Sequence, residues 1–217
     1  MRLRIKFAKR GTGRFLSQLE VMRSFHRAAR RAGLPLALSQ GFNPHPRFSF
    51  GPALAVGRES EAEYLDLELR EPRPPAEVLH SLAREMPPGL EILAVKPLPQ
   101  GAPALTEAIR CAAYCVEVEG MAREELERAI RNLLGKNEVW VRRQTKRGER
   151  EVDLRPGLYR LELEGDRLLT MLLACSSQLT VRPEEVVRAL APGISIISIR
   201  RTELYTRCDS ALLTPLD

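Results

Sequence analysis

Near its middle the chain reads Pro97-Leu98-Pro99-Gln100-Gly101-Ala102-Pro103-Ala104. Prolines and a glycine at this density interrupt both helices and sheet interiors, because proline lacks an N–H and restricts the residue before it. We therefore divide the chain into an N-terminal half, residues 1–100, and a C-terminal half, residues 101–217. This boundary is informative about the fold, because the same order of elements is predicted on both sides of it.

The N-terminal half begins with an alternating strand and a capped helix. Leu3, Ile5 and Phe7 alternate with cations, which is typical of a half-buried strand. Ser17 and Glu20 form a capping-box pattern that starts a helix running to about Ala32. The predicted elements are a strand at 2–8, a helix at 17–32, a strand at 64–69, a helix at 74–86 and a strand at 90–95. The inward face of the first helix is predicted to carry Phe15, Val21, Met22, Phe25, Ala29 and Ala32.

The C-terminal half repeats this order. Its predicted elements are strands at 114–119, 138–143, 158–163, 168–174 and 194–205, helices at 122–134 and 183–190, and a turn at Lys146-Arg147-Gly148-Glu149. Both halves can be arranged as strand–helix–strand–strand–helix–strand, the ferredoxin-like order. The predicted fold class is α+β, with two tandem ferredoxin-like (βαββαβ) units packed side by side.

Charge is distributed unevenly along the chain. The net charge is +6, but residues 1–58 contain twelve Lys/Arg and one acid, Glu20, whereas the remaining residues contain 22 Lys/Arg and 27 Asp/Glu. A segment with a charge of +11 is typical of proteins that bind an anionic partner, nucleic acid first among them. The alternative is a solvated surface, since clustered charge alone is not specific.

A proline- and phenylalanine-rich segment, residues 39–54, follows the first helix. Its prolines exclude an ordinary helix and predict a rigid loop of the kind that often holds binding sites. His45 lies between Pro44 and Pro46, so its imidazole can be held in place as an acid, a base or a phosphate donor. The alternative is a structural loop in which Asn43 and His45 bond neighbouring backbone groups. The predicted ligand- or nucleic-acid-binding residues are Arg23, Arg27, Arg30, Gln40, Asn43, His45, Arg47 and Ser49.

Catalytic and metal-binding patterns are weak. The chain has no GxSxG elbow, three histidines without HxxxH spacing, and four scattered cysteines that we interpret as structural. We expect no metal and no cofactor, and no catalytic residue unless His45 acts in an enzyme. Without a long apolar run or a signal-peptide pattern at its start, the chain is expected to be cytoplasmic.

Several segments of the N-terminal half match a known family signature. They are Arg14-Phe15-Leu16-Ser17-Gln18-Leu19-Glu20, Arg30-Arg31-Ala32-Gly33-Leu34-Pro35, Ser39-Gln40-Gly41-Phe42-Asn43-Pro44-His45-Pro46, Ser49-Phe50-Gly51-Pro52-Ala53-Leu54 and Glu59-Ser60-Glu61-Ala62-Glu63-Tyr64-Leu65-Asp66. These segments resemble a bacterial family described as radical SAM-linked proteins and as a domain of unknown function, DUF2344. Its members occur beside, or fused to, cobalamin-binding radical SAM proteins, so the resemblance implies such a protein as partner.

The resemblance also bears on the ligand. The family's gene neighbourhoods include ribosomal-protein and ribonuclease genes, which favours RNA. The chain lacks the CxxxCxxC motif of a radical SAM enzyme, so it is not the radical enzyme itself. The leading hypothesis is a non-catalytic accessory protein that binds RNA, or presents an RNA substrate, with that partner.

Two alternatives remain open. One is a metal-independent RNA-cleaving enzyme that uses His45, similar in fold alone to CRISPR repeat-processing endoribonucleases. The other is a pure protein-interaction subunit whose loop docks the radical SAM protein. No membrane partner is expected.

Overall fold

The computed structural model describes residues 1–145, 148–208 and 211–217. The chain divides into two compact units: unit 1 is Met1–Arg110 with Glu203–Asp217, and unit 2 is Cys111–Thr202. Each is a mixed α/β structure with a mainly antiparallel sheet. Residues 203–217 thus belong to unit 1, although they lie in the predicted second half.

Unit 1 contains the strands and helices predicted for the N-terminal half, together with a three-residue strand and a four-residue helix that were not predicted. They are β1 (Arg2–Lys9), α1 (Gln18–Arg31), β2 (Phe48–Phe50), β3 (Glu59–Glu68), α2 (Pro75–Glu85), β4 (Leu90–Pro97) and the short α3 (Leu105–Ala108). In the sheet, β1 lies between β4 and β3, and β2 pairs with β3. All of these pairings are antiparallel, with Ile5 of β1 opposite Leu65 of β3 and Val95 of β4. The predicted capping box is confirmed: Ser17 Oγ accepts from the Glu20 N–H, and Glu20 Oε2 accepts from the Ser17 N–H.

Unit 2 contains the elements predicted for the C-terminal half, together with a strand at Gly148–Asp153 that was not predicted. They are β5 (Cys111–Glu119), α4 (Arg123–Leu134), β6 (Trp140–Thr145), β7 (Gly148–Asp153), β8 (Leu158–Glu164), β9 (Leu168–Ala174), α5 (Pro183–Leu190) and β10 (Ser195–Tyr205), whose last residues belong to unit 1. The sheet order is β10, β5, β9, β8, and β6 pairs with β7 as a separate hairpin. Lys146 and Arg147 of the predicted turn lie outside the described residues. Unit 1 ends with the short strands β11 (Arg207–Cys208) and β12 (Leu212–Leu213).

The core of unit 1 is built on the apolar face of β1. Leu3, Ile5 and Phe7 are buried there against α1, and the Phe7 and Phe25 rings meet edge to face with centroids 4.8 Å apart. Phe15 does not join this core, so its predicted inward position is wrong. It ends a 3-10 turn before α1, is mostly exposed, and lies 4.8 Å below the Arg14 guanidinium.

The charged face of β1 is also largely buried. Arg4 donates to both oxygens of Asp66, from Nε at 2.7 Å and from Nη2 at 3.0 Å, and Arg2 donates to Asp66 Oδ2 at 2.5 Å. Arg4 and Asp66 are only 4% and 2% exposed. The cations of this strand are therefore internal ion-pair partners, and they add little to a positive surface.

Lys6 continues this arrangement further along β1. It donates to Glu203 Oε2 at 2.5 Å, and Tyr64 donates its hydroxyl to Glu203 Oε1 at 2.6 Å. Burial, followed by the neighbouring Glu203 carboxylate, raises the pKa of Tyr64. The strand β1 thus has an apolar face on the core and an opposite face of paired charges.

Residues 1–145, 148–208 and 211–217 lack two kinds of feature. No helix among them combines the length and apolarity needed to cross a bilayer. No cluster of three or more His, Cys, Asp or Glu side chains among them is arranged to hold a metal ion.

Candidate functional site

The segment between α1 and β2 is a loop with a closed base. Ser39 N–H donates to the His45 carbonyl at 2.9 Å, Arg47 N–H donates to the Ala37 carbonyl at 2.9 Å, and Leu38 forms a bridge with Pro46. Gly41 turns the chain at a φ of 121°, a conformation that side chains rarely allow. We call residues 39–46 the loop. Its base is held by backbone bonds and its tip projects into solvent.

Two of the three phenylalanines near the loop anchor it to unit 1. The Phe50 ring meets the Phe25 ring of α1 with centroids 5.8 Å apart, and the Phe48 ring lies 4.7 Å from the His26 ring. Phe42, at the loop tip, is fully exposed. Phe48 and Phe50 therefore anchor the segment to α1, whereas Phe42 presents an exposed ring.

His45 is oriented within the loop. Its Nδ1 lies 3.1 Å from Ser39 Oγ and 3.2 Å from the Asn43 carbonyl oxygen, while its backbone N–H donates to Ser39 Oγ. The Asn43 carbonyl only accepts, whereas the Ser39 hydroxyl can donate or accept; in the tautomer with the proton on Nδ1, both contacts can form and Nε2 is the acceptor. The ring is exposed, which makes Nε2 accessible.

A cavity of about 460 Å³ opens beside the loop in unit 1. Of the predicted site residues, His45, Arg47 and Ser49 line it, whereas Gln40 and Asn43 do not. Gln40 and Asn43 are exposed in the loop, and Asn43 contributes its carbonyl to His45. The structure thus brings three of the five predicted loop-segment residues to one cavity.

The charges in the cavity wall are paired. Arg47 Nη1 lies 3.1 Å and 2.9 Å from the two carboxylate oxygens of Glu68. Asp66, deeper in the wall, is held by Arg2 and Arg4 as described above. The cavity therefore presents donors and acceptors side by side, without a large excess of positive charge.

The predicted helical arginines lie on one exposed face of α1. Arg23, Arg27 and Arg30 are spaced by four and three residues, which places them on one side of a helix. All three are exposed, and within residues 1–145, 148–208 and 211–217 none of them forms an ion pair. Arg31, on another side of α1, is instead bound to Glu85 of α2 at 2.7 Å. We call Arg23, Arg27 and Arg30 the arginine face.

His26 of α1 was not among the predicted binding residues, but it lies next to several of them. It packs on Phe48, and its covered Nε2 has no hydrogen-bond partner among the described residues. Burial lowers the pKa of His26, and electrostatic interactions with Arg30 and then with His45 lower it further. His26 therefore lies between the arginine face and the loop. Neither its spacing in α1 nor its polarity predicted this contact.

The strands β6 and β7 of unit 2 also carry cations, and two of those among the described residues are paired with carboxylates. Arg143 binds both Glu185 oxygens, at 2.7 Å and 2.6 Å, and Arg142 lies 3.7 Å from Glu151 on the neighbouring strand. Trp140 is exposed, and its indole N–H donates to Glu138 at 2.8 Å. Arg143 therefore has a structural role, and this hairpin is a weaker candidate for an anionic ligand than the arginine face.

Comparison with solved structures finds a similar fold. A chain in the crystal structure of a Cbf5-Nop10-Gar1 complex superimposes with a TM-score of 0.51 at 15% identity. The match covers 99% of this chain and 53% of that chain, so our chain spans about half the length of the solved one. At this identity the likeness concerns the fold alone.

Comparison at the sequence level assigns a family. No curated protein matches the sequence. The model of one family, described as an uncharacterized protein conserved in bacteria (DUF2344), matches residues 2–183. That match includes the loop, the arginine face and most of unit 2, so the chain belongs to the bacterial family DUF2344.

Proposed function

We propose that this protein is a non-catalytic accessory protein that binds RNA through unit 1 and works with a cobalamin-binding radical SAM enzyme. The observation that carries the RNA proposal is the arginine face. Several cations of the N-terminal segment are paired with carboxylates, as in Arg4 with Asp66 and Arg31 with Glu85, whereas Arg23, Arg27 and Arg30 are exposed on one side of α1. Phosphates bind such cations and release counterions.

The loop supplies the second element of an RNA-binding surface. Phe42 presents an exposed ring, and proteins that bind single-stranded RNA stack unpaired bases on exposed aromatic rings. His26 contacts Phe48 at the end of this segment and lies one turn before Arg30 on α1. The arginine face would thus hold the backbone of the strand and the loop would hold its bases.

The test is RNA binding measured at several salt concentrations. In the double variant Arg27→Glu/Arg30→Glu, we expect at least a tenfold loss of affinity and a salt dependence shallower by about 1.4, since each phosphate contact to a single strand contributes about 0.7. A matched control is Arg128→Glu/Arg131→Glu, which makes the same charge change at the same spacing on the exposed side of α4. Equal losses in the two variants would contradict a specific role for the arginine face.

The proposed partner is supported by the family resemblance and not by a contact in this chain. Co-purification of the protein with a cobalamin-binding radical SAM protein would test it, with a variant in which residues 41–46 are replaced by a Gly/Ser segment of equal length. Loss of the partner in this variant, with no RNA binding by the unaltered protein, would favour the alternative of a pure interaction subunit.

One observation favours a second candidate function, metal-independent RNA cleavage. The Nδ1 contacts of His45 leave Nε2 accessible as a general base. Cleavage of RNA in the presence of a chelator, lost in His45→Ala and kept in His80→Ala, would support an enzyme. The absence of cleavage would leave RNA binding as the function.

We also propose that each unit has the ferredoxin-like arrangement. In unit 1 the order β1-α1-β2-β3-α2-β4, with sheet neighbours β4-β1-β3-β2, supports it. In unit 2 the support is the order β5-α4-β8-β9-α5-β10 with neighbours β10-β5-β9-β8, and the β6–β7 hairpin is an insertion after α4.

A further inference from the structure

We propose that the cavity beside the loop is a nucleobase pocket that takes guanine. This inference rests on the proposed function, because a bound RNA strand would supply the base. In this proposal the phosphates of the RNA bind the arginine face, and one of its bases enters the cavity. The charges, the hydrogen-bonding groups and the size of the cavity support this assignment.

The charges of the wall disfavour a phosphate. Asp66 and Glu68 both line the cavity, and each already holds a guanidinium, from Arg2 and Arg47 respectively. A phosphate that bound Arg47 would have to lie against the Glu68 carboxylate or displace it, and either outcome places like charges together. A neutral ligand avoids this repulsion.

The wall offers a donor and an acceptor next to each other. Arg47 contacts Glu68 through Nη1, which leaves the other guanidinium N–H groups as donors. Glu68 has further lone pairs beyond that contact, and both side chains are partly exposed to the cavity mouth. A ligand with two adjacent N–H donors and a neighbouring carbonyl would satisfy both residues at once.

Guanine has this arrangement of groups. Its N1–H and N2–H₂ groups are adjacent donors for the Glu68 carboxylate, and O6 and N7 are the acceptors that arginine recognises. The Ser49 hydroxyl adds a group that can donate or accept, while Leu67 and Ala104 add apolar lining. A volume of about 460 Å³ is in the range of small-ligand pockets and has room for a base with its ribose.

The experiment uses nucleosides, which carry no phosphate and so do not need the arginine face. The full chain is titrated by calorimetry with guanosine and with inosine, which differs only by lacking the N2 amino group. We expect guanosine to bind at least about tenfold more tightly than inosine, as a good bidentate contact discriminates by about 1–3 kcal/mol. Glu68→Gln should reduce this ratio to about one, because the amide offers a single acceptor oxygen.

Controls separate the pocket from other effects. Glu71→Gln removes an exposed carboxylate three residues away that does not line the cavity, and it should keep the ratio. Thermal unfolding of each variant identifies any loss of folding. Equal binding of guanosine and inosine, an unchanged ratio in Glu68→Gln, or displacement of guanosine by inorganic phosphate would each overturn the proposal.

The outcome is independent of the test for the proposed function. Guanosine binding by a protein that fails to bind RNA would contradict the RNA proposal and keep the pocket. RNA binding that depends on Arg27 and Arg30, without guanosine binding, would keep the RNA proposal and contradict the pocket.

Discussion

The imidazole of His26 packs on the phenyl ring of Phe48, with ring centroids 4.7 Å apart and an angle of 44° between the planes. This contact joins the exposed edge of α1 to the strand that follows the loop. His26 Nε2 is covered, with no hydrogen-bond partner among the described residues. A second proton on this ring would therefore be poorly solvated, and it would also face the positive charge of Arg30.

The His26 contact predicts an acid-sensitive stability. The pKa of His26 is lowered in the folded protein by burial and then by Arg30 and His45, so the unfolded chain binds more protons below its ordinary value of 6.5. The contribution of neutral His26 to the free energy of unfolding is fully present above pH 6.5 and is lost as the pH falls through the lowered pKa. In urea unfolding experiments, we expect the free energy of unfolding to decrease from pH 7 to pH 5. The decrease should be smaller in the His26→Phe variant. The control His80→Gln should keep the wild-type slope.

The buried ion pair of Arg4 and Asp66 predicts a large loss of stability when one partner is removed. Asp66→Ala leaves a buried guanidinium without its carboxylate, which costs about 3–5 kcal/mol. Chemical unfolding measures this loss. Glu91→Ala removes the acid of the exposed Arg10–Glu91 pair and should cost about 0–1 kcal/mol. Similar values for the two variants would contradict our account of the charged face of β1.

The exposed and the buried phenylalanines are predicted to have different effects, one on RNA binding and the other on stability. Phe42→Ala should weaken RNA binding by about 1–3 kcal/mol, the contribution of one stacked base, and leave the unfolding curve unchanged. Phe25→Ala, which removes a fully buried ring in contact with Phe7 and Phe50, should cost about 3–5 kcal/mol of stability. Anisotropy with labelled RNA and thermal unfolding are measured on both. Unchanged RNA affinity in Phe42→Ala would exclude this ring from the interface.

The capping box of α1 predicts a moderate effect. Ser17→Ala removes the hydroxyl that accepts from the Glu20 N–H, which should destabilise unit 1 by about 1 kcal/mol. Ser17→Thr keeps a hydroxyl that can accept from the Glu20 N–H and donate to the Glu20 carboxylate, and it should recover most of that loss. Equal destabilisation by the two substitutions would contradict a capping role.

Local patterns in the sequence were sufficient for most elements of both units. The alternation of Leu3, Ile5 and Phe7 marked β1, and Ser17 with Glu20 marked the start of α1, because these signals depend on neighbours within one turn or one strand. The ends of strands were less predictable. β3 begins at Glu59, five residues before the predicted Tyr64, since its first residues mix small and acidic side chains whose pairing with β1 is not a local property.

The residue types of the candidate site could be predicted from the sequence, but the ion pairs of its arginines could not. The loop and the arginines were recognisable from prolines and charge. The neutralisation of Arg2 and Arg4 by Asp66, a residue more than sixty positions away, depends on the register of β1 with β3. For the same reason the charge of +11 overstated the positive surface, and the sequence alone could not separate paired arginines from the arginine face. The contact of His26 with Phe48 likewise requires the return of the chain after the loop.

Unit 1 is discontinuous in sequence, since Met1–Arg110 is completed by Glu203–Asp217. Arg4 donates to the Pro215 carbonyl at 3.1 Å and Lys6 binds Glu203, so residues of the first strand bind groups that are synthesised 211 and 197 positions later. On a ribosome, unit 2 would emerge whole while the charged face of β1 was still without these partners. The final folding of unit 1 therefore requires that residues 203–217 have been synthesised, and contacts this distant in sequence slow the folding of a domain.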